Sequence, residues 1–251
     1  MLKGTERGCL VLADISGYTG LLVDTELEHA QDALRDLMQT VVGKLRPQLR
    51  LAKLEGDAAF AYSIADRIDG SQLLDTLEAA YFAFRRRLES ISRATTCDCN
   101  ACIRIPALNL KLVAHHGAFV RQRMYGVEEL TGLDVVVVHR LLKNHVVERF
   151  GSGGYLLLTD ACLAAATLNP TALDFIEYRD EFEGVGEITA WIHDLEAAWR
   201  RERELRRVRV GDRETALLIE RDIAAPPAVV WDWVTDPKRR PQFVPGVLRV
   251  D

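Results

Sequence analysis

The stretch A-D-I-S-G-Y-T-G at 13–20, read together with K-L-E-G-D-A at 53–58, decides how this chain folds. Each puts one aspartate, Asp14 or Asp57, at the end of an apolar run. Residues 8–15 (G-C-L-V-L-A-D-I) are almost continuously apolar, which predicts a buried strand. Residues 49–64 predict two strands around Gly56-Asp57, a hairpin of the Gly-Asp type. Two carboxylates on neighbouring strand ends suit a divalent metal pair facing a polyphosphate. The plainer alternative makes Asp14 a helix cap and Asp57 a hairpin residue.

Working outward, residues 21–46 carry apolar side chains at helical spacing (Leu27, Ala30, Leu34, Leu37, Val41, Leu45), and Pro47 closes that helix. A second helix is expected over 71–93, with Leu73, Leu77, Ala80, Phe84 and Leu88 on one face. N-L-K-L-V-A-H-H-G-A-F-V at 109–120 predicts a strand pair turning near Gly117. Residues 129–149 read as a helix with Arg140, Lys143 and His145 outside its apolar face. Residues 154–159 read as a strand, and Asp160 as the cap of a short helix over 161–168. A final strand pair turns at 184–186.

The expected order is β-α-β-β-α-β-β-α-β-α-β-β. Its front half is the split ferredoxin-like arrangement. The fold class is therefore α+β: a sandwich of helices on an antiparallel-rich sheet. This domain is expected over 1–195. The charged amphipathic stretch 196–214 reads as a linker, helical at first, with a solvated face of the first domain as the alternative. At 215–251 a new pattern begins: strand-like A-L-L-I-E-R-D-I, then Pro226-Pro227 opening a short helix with Val229, Val230, Trp231 and Val234. That remainder is too short for a core of its own.

With 251 residues, the chain has room for one large domain or one and a half average ones. Its 48% apolar and 27% charged residues are those of an ordinary globular protein. The net charge of −5 argues against a nucleic-acid partner. No apolar stretch reaches the length of a membrane span, and M-L-K-G-T-E-R-G lacks a signal peptide's apolar region, so a cytoplasmic location is expected. Five cysteines, an odd count, do not suggest a disulfide framework. Cys97, Cys99 and Cys102, within six residues of a polar loop, are spaced to wrap a soft metal in one turn. A structural zinc would need a fourth ligand, from Cys9, Cys162, His115, His116 or a partner chain. An iron–sulfur cluster would need one too. The alternative is three reduced loop thiols. Zinc here would pin the loop and perform no chemistry.

V-L-A-D-I-S-G-Y-T, K-L-E-G-D-A-A-F-A-Y and G-L-D-V-V-V-V-H-R-L-L resemble, in that order, three signature segments of class III nucleotidyl cyclase homology domains. The resemblance spans residues 8–195. The C-x-C-x-A-C insertion is similar to that of a divergent bacterial subgroup of cyclase-like proteins. The resemblance implies a ferredoxin-like cyclase sandwich working as a head-to-tail homodimer, with sites built across the interface. It gives Asp14 and Asp57 to Mg²⁺ or Mn²⁺. It puts the backbone of Ser16, Gly17, Tyr18 and Thr19 near the triphosphate. It makes Lys53 the reader of adenine from the partner subunit, hence ATP rather than GTP. It makes Arg140 the catalytic group that stabilises charge on the reacting phosphate.

Three positions depart from that pattern. Val136 stands where the family has a ribose-positioning asparagine. Glu129 stands at the second purine-reading position, commonly aspartate. F-E-G-V-G-E-I puts Glu183 and Glu187 where the family has a phosphate-binding lysine. Each lost transition-state contact costs roughly 100- to 1000-fold in rate. The expectation is slow formation of cyclic AMP, or a non-catalytic nucleotide-binding or dimerisation scaffold. A metal-stabilised interaction module is a third reading. I-E-R-D-I-A-A-P-P-A-V-V-W-D-W-V-T-D-P at 219–237 resembles the opening of a START-like, polyketide-cyclase-type ligand-binding domain, so an incomplete helix-grip segment is expected there. In the scaffold reading, the cyclase-like domain regulates that attached small-ligand domain.

Overall fold

A computed structural model of the protein describes residues 4–22, 26–94, 97, 99–125, 127–206 and 222–242. Two compact units divide between Arg206 and Arg207. In the first, β1 (Glu6–Ser16) lies inside a sheet ordered β2-β3-β1-β4-β6-β8-β7, between β3 and β4. Its partners are β2 (Arg50–Glu55), β3 (Ala58–Tyr62), β4 (Asn109–Met124), β6 (Tyr155–Thr159), β7 (Ile176–Phe182) and β8 (Gly186–Asp194). A further strand, β5 (Val127–Thr131), pairs with the far end of β4. The β4–β6 pairing is parallel and the others are antiparallel. The order β2-β3-β1-β4 is that of the ferredoxin-like front half.

The apolar run of β1 is continuous because both faces of the strand are covered. Cys9, Val11, Ala13 and Ile15 face a core shared with α2 (Leu27–Leu45), α3 (Gly70–Ala94) and α8 (Leu195–Leu205). Leu10 and Leu12 face a second core with Phe60, Val113 and α5 (Leu133–Leu141). That alternation follows from the two-residue period of a strand. Leu37, Val41 and Leu45 on α2 and Leu77, Phe84 and Leu88 on α3 are buried, matching the expected helical stripes. Burial of each such Leu or Phe stabilises the fold by about 1.5–3 kcal/mol. The charged stretch after β8 opens as a helix: α8 buries Leu195, Ala198 and Trp199, the last against Phe82.

Three local expectations are corrected. Gly117 is no turn, because β4 runs straight through it. A Cβ there would lie 2.2 Å from the Asp134 carboxyl carbon, so glycine makes room for that side chain. Asp134 sits in the first turn of α5 and accepts from Ala118 N at 2.6 Å. The stretch 129–149 is not one helix: it holds the end of β5, then α5, then α6 (Val146–Phe150). Gly132, at φ +148°, separates β5 from α5. Thr159, not Asp160, caps α7 (Asp160–Ala166), through Cys162 N. Asp160 instead accepts from the Trp191 indole at 2.7 Å. Gly117→Ala is expected to destabilise the domain by about 1–3 kcal/mol through overpacking on Asp134, read as a lowered denaturant midpoint. An unchanged midpoint would contradict this packing.

In the second unit, α9 (Pro227–Thr235) begins at Pro226-Pro227 and carries Val229, Val230, Trp231 and Val234, as expected. The expected strand over 216–223 lies, up to Arg221, outside the described residues.

Candidate functional site

The end of β1 and the β2–β3 turn bring Asp14 and Asp57 together. The pairing Asp14↔Ala58 puts the two strand ends side by side, and Ile15 N donates to Asp57 O at 3.0 Å. Burial and the nearby Asp14 charge push the Asp57 carboxyl above its usual range. Lys111, opposite Asp14 on β4, extends its Nζ to 3.0 Å from Asp14 Oδ2. Sequence reasoning missed this lysine, although its place on the strand beside Asp14 follows from the antiparallel register. The donor set, two carboxylates of which one is already strained by the other's charge, fits a divalent cation. A cation there would have to share Asp14 with Lys111.

Ser16 ends β1, and Gly17 turns the chain at φ +91°, a value that favours glycine. Tyr18 and Thr19 then begin the short α1 (Tyr18–Leu22). The Tyr18 ring is buried, and its hydroxyl is pushed up by burial and by the Asp57 charge.

A second group forms on β2 and β5. Lys53 Nζ lies 2.9 Å from Glu55 Oε1 and 3.3 Å from Glu129 Oε2. These carboxylates, Glu55 first, raise the Lys53 ammonium above its ordinary value. His139 reaches Glu55 from α5 at 3.1 Å. The structure thus groups Lys53 with Glu129, Glu55 and His139.

Arg140, at the end of α5, pairs with Glu183 at 3.5 Å. Glu183 lies in the β7–β8 turn, where the resemblance implies a lysine. The Arg140 guanidinium is thereby paired with a carboxylate of that turn. Val136, Arg140 and Lys143 line an open hollow of about 410 Å³, and Val136 is 48% exposed on it.

The cysteine cluster closes on a residue that sequence reasoning did not single out. His29 Nδ1 lies 3.3 Å from Cys99 Sγ, 3.7 Å from Cys102 Sγ and 3.8 Å from Cys97 Sγ. One ligand atom from each of the four residues lies within 4.8 Å of every other. His29, Cys97, Cys99 and Cys102 could together bind a metal such as zinc. Burial, followed by bonds to Cys99 and Cys97, pushes the Cys102 thiol up to about 12, and a bound cation would offset that cost.

The fourth ligands suggested from sequence are placed elsewhere. Cys9 and Cys162 are buried together in the core. His115 spans Thr159 Oγ1 at 2.9 Å and Asp134 Oδ1 at 3.1 Å, and His116 bonds Ala65 O at 3.0 Å. His29 joins the cluster because α2 and α3 pack antiparallel, with Asp36 paired to Arg87. The loop after α3 therefore returns to the start of α2. A separation of 68 residues hid this in the sequence.

The arrangement has the fold of nucleotidyl cyclase domains. It is similar to the guanylyl cyclase Cya2, with a TM-score of 0.60 and 13% identity over 76% of this chain and 93% of that one. It is also similar to a bacterial light-regulated adenylyl cyclase, with a TM-score of 0.55 and 12% identity over 80% of this chain and 99% of that one. Residues 34–149 match the family described as "Protein of unknown function (DUF2652)". The chain belongs to the family of the Mycobacterium tuberculosis "Uncharacterized protein Rv2561/Rv2562", being 33% identical to it over 64% of this chain and 73% of that protein. Among the described residues, no helix is long and apolar enough to cross a membrane.

Proposed function

We propose that this chain binds a nucleoside triphosphate, ATP before GTP, at a homodimer interface, and cyclises it slowly to cyclic AMP. The observation that carries this reading is the Asp14–Asp57 pair, held at adjoining strand ends beside the Gly17 turn. Asp14 and Asp57 would hold Mg²⁺ or Mn²⁺, which when bound acidifies the ribose hydroxyl and neutralises the departing pyrophosphate. The backbone of residues 16–19 lies against the triphosphate. Lys53 and Glu129 of the partner read the adenine edge: the lysine donates and the carboxylate accepts. Arg140 faces the reacting phosphate once it leaves Glu183. Lys111 orients Asp14 through their ion pair. The Cys/His cluster holds a structural zinc.

The Arg140–Glu183 pair and the exposed apolar Val136 favour a second reading, in which nucleotide binds without turnover and the domain is regulatory. Its output would be the START-like segment that begins near residue 219. Incubating the dimer with ATP and Mn²⁺ separates the two. Thermal stabilisation by ATP·Mn²⁺ with slow cyclic AMP formation is expected. Stabilisation without product selects the regulatory reading, and neither effect contradicts both.

A further inference from the structure

We infer that a zinc ion bound by His29, Cys97, Cys99 and Cys102 is a clasp that sets the segment 17–22, which includes Gly17, Tyr18 and Thr19 of the stretch 16–19 given to the triphosphate. This rests on reading the cluster as a metal site and goes beyond it, because it assigns the metal a position-setting role.

The geometry suits the metal. Bonds of about 2.3 Å to sulfur and 2.0–2.1 Å to nitrogen, at tetrahedral angles, separate N from S by about 3.6 Å. The three N···S distances, 3.3, 3.7 and 3.8 Å, bracket that value. Three cysteines and one histidine complete the four ligands of a closed structural site. Thiols are weak hydrogen-bonding groups, so their mutual contacts alone give little reason for four side chains from α2 and a polar loop to converge. The cluster borders an open hollow of about 310 Å³, so a chelator can reach it.

What the clasp holds follows from the next contacts along the chain. Cys99 caps the N-terminus of α4 (Asn100–Arg104), a helix of five residues, and Cys102 lies within it. A helix that short is unstable on its own. Its first turn is tied to the start of α2, Ala101 N donating to Glu26 Oε2 at 3.4 Å. Its last residue, Arg104, donates from the guanidinium to Gly20 O at 3.2 Å. Immediately after α4, Ala107 and Leu108 lie under Gly17, within 4 Å of where a Cβ would stand. Zinc thus fixes α4, and α4 with the turn behind it supports the segment 17–22 from below. Tyr18 and Leu21 anchor the segment in the core by their side chains, while its backbone, with a helix of only five residues and with Gly17 and Gly20, is lightly constrained and takes its position from this support.

The test uses the full chain without nucleotide, so it does not depend on the nucleotide reading. After passage over a mild chelating resin, metal analysis is expected to find about one zinc per chain. Hydrogen exchange is then compared before and after zinc removal by a strong chelator, and in His29→Ala, which alters an exposed helix position. Removal is expected to speed exchange at least about tenfold in 17–22 and 100–104 while the β1 and β4 amides stay protected. Restoring zinc should restore protection in the wild type and not in His29→Ala. Zinc present but exchange at 17–22 unchanged on its removal overturns the clasp and leaves the metal site standing. No retained zinc, and no thiolate charge-transfer band on adding cobalt, overturns both.

Discussion

Asp57→Asn is expected to abolish cation-dependent ATP binding while raising the melting temperature at neutral pH. The two effects share one cause. Asp57 is partly buried next to Asp14, and burial followed by that charge raises its pKa above that of an ordinary aspartate. A carboxyl whose pKa is higher folded than unfolded favours the folded state below the unfolded value. That contribution is lost as pH rises through the folded value. At neutral pH the ionised Asp57 is therefore a net cost, and the uncharged amide removes it. The stability gain should shrink as pH falls below the ordinary carboxylate range. The binding loss should be larger than the roughly 10- to 100-fold that loss of an outer-shell partner costs a metal site, because Asp57 is proposed as a ligand itself. Calorimetric titration with ATP and Mn²⁺ measures the loss, and thermal melts from acid to neutral pH measure the gain. A variant that melts lower at neutral pH, or binds ATP·Mn²⁺ as well as the wild type, contradicts the assignment.

The double substitution Val136→Asn, Glu183→Lys should raise cyclic AMP formation by about 100-fold or more. Each position supplies a contact whose loss typically costs roughly 100- to 1000-fold. Asparagine at 136 would offer the ribose a polar group where valine offers none. Lysine at 183 would remove the carboxylate 3.5 Å from Arg140, freeing that guanidinium, and would add a cation beside the triphosphate. Neither change should harm the fold. Val136 is exposed, valine and asparagine have similar helix propensities, and the Glu183 side chain is 90% exposed. Product is read by chromatography, with ATP affinity measured alongside. If the variant binds ATP and still makes no more product than the wild type, the proposed phosphate-facing role of Arg140 fails.

Much of this molecule is legible from its sequence because its central elements obey simple periods. The run at 8–15 is buried on both faces, and the stripes on α2 and α3 face one core, so strand, helices and β2–β3 hairpin emerge from pattern alone. Legibility fails where a single long-range contact decides the local structure. Gly117 looks like a turn until Asp134 is known to need the space above it. The region 129–149 is uniformly rich in apolar residues, and only the pairing of β5 with β4 shows where strand ends and helix begins. The sites divide the same way. Asp14, Asp57, Lys53, Glu129 and the three clustered cysteines are singled out by motif and spacing, while Lys111, Glu55 and His139 come to the carboxylates and Lys53, and His29 to the cysteines, through register and helix packing.

The central claim is that Asp14 and Asp57 hold a cation against a nucleotide shared between two subunits. Its most direct test is a crystal structure of the full chain with a non-hydrolysable ATP analogue and Mn²⁺, with anomalous scattering used to locate manganese. A manganese peak is expected between the Asp14 and Asp57 carboxylates, with the triphosphate along residues 16–19 and the adenine against Lys53 and Glu129 of the partner. A nucleotide bound away from both aspartates, or no manganese between them at saturating analogue, would contradict it.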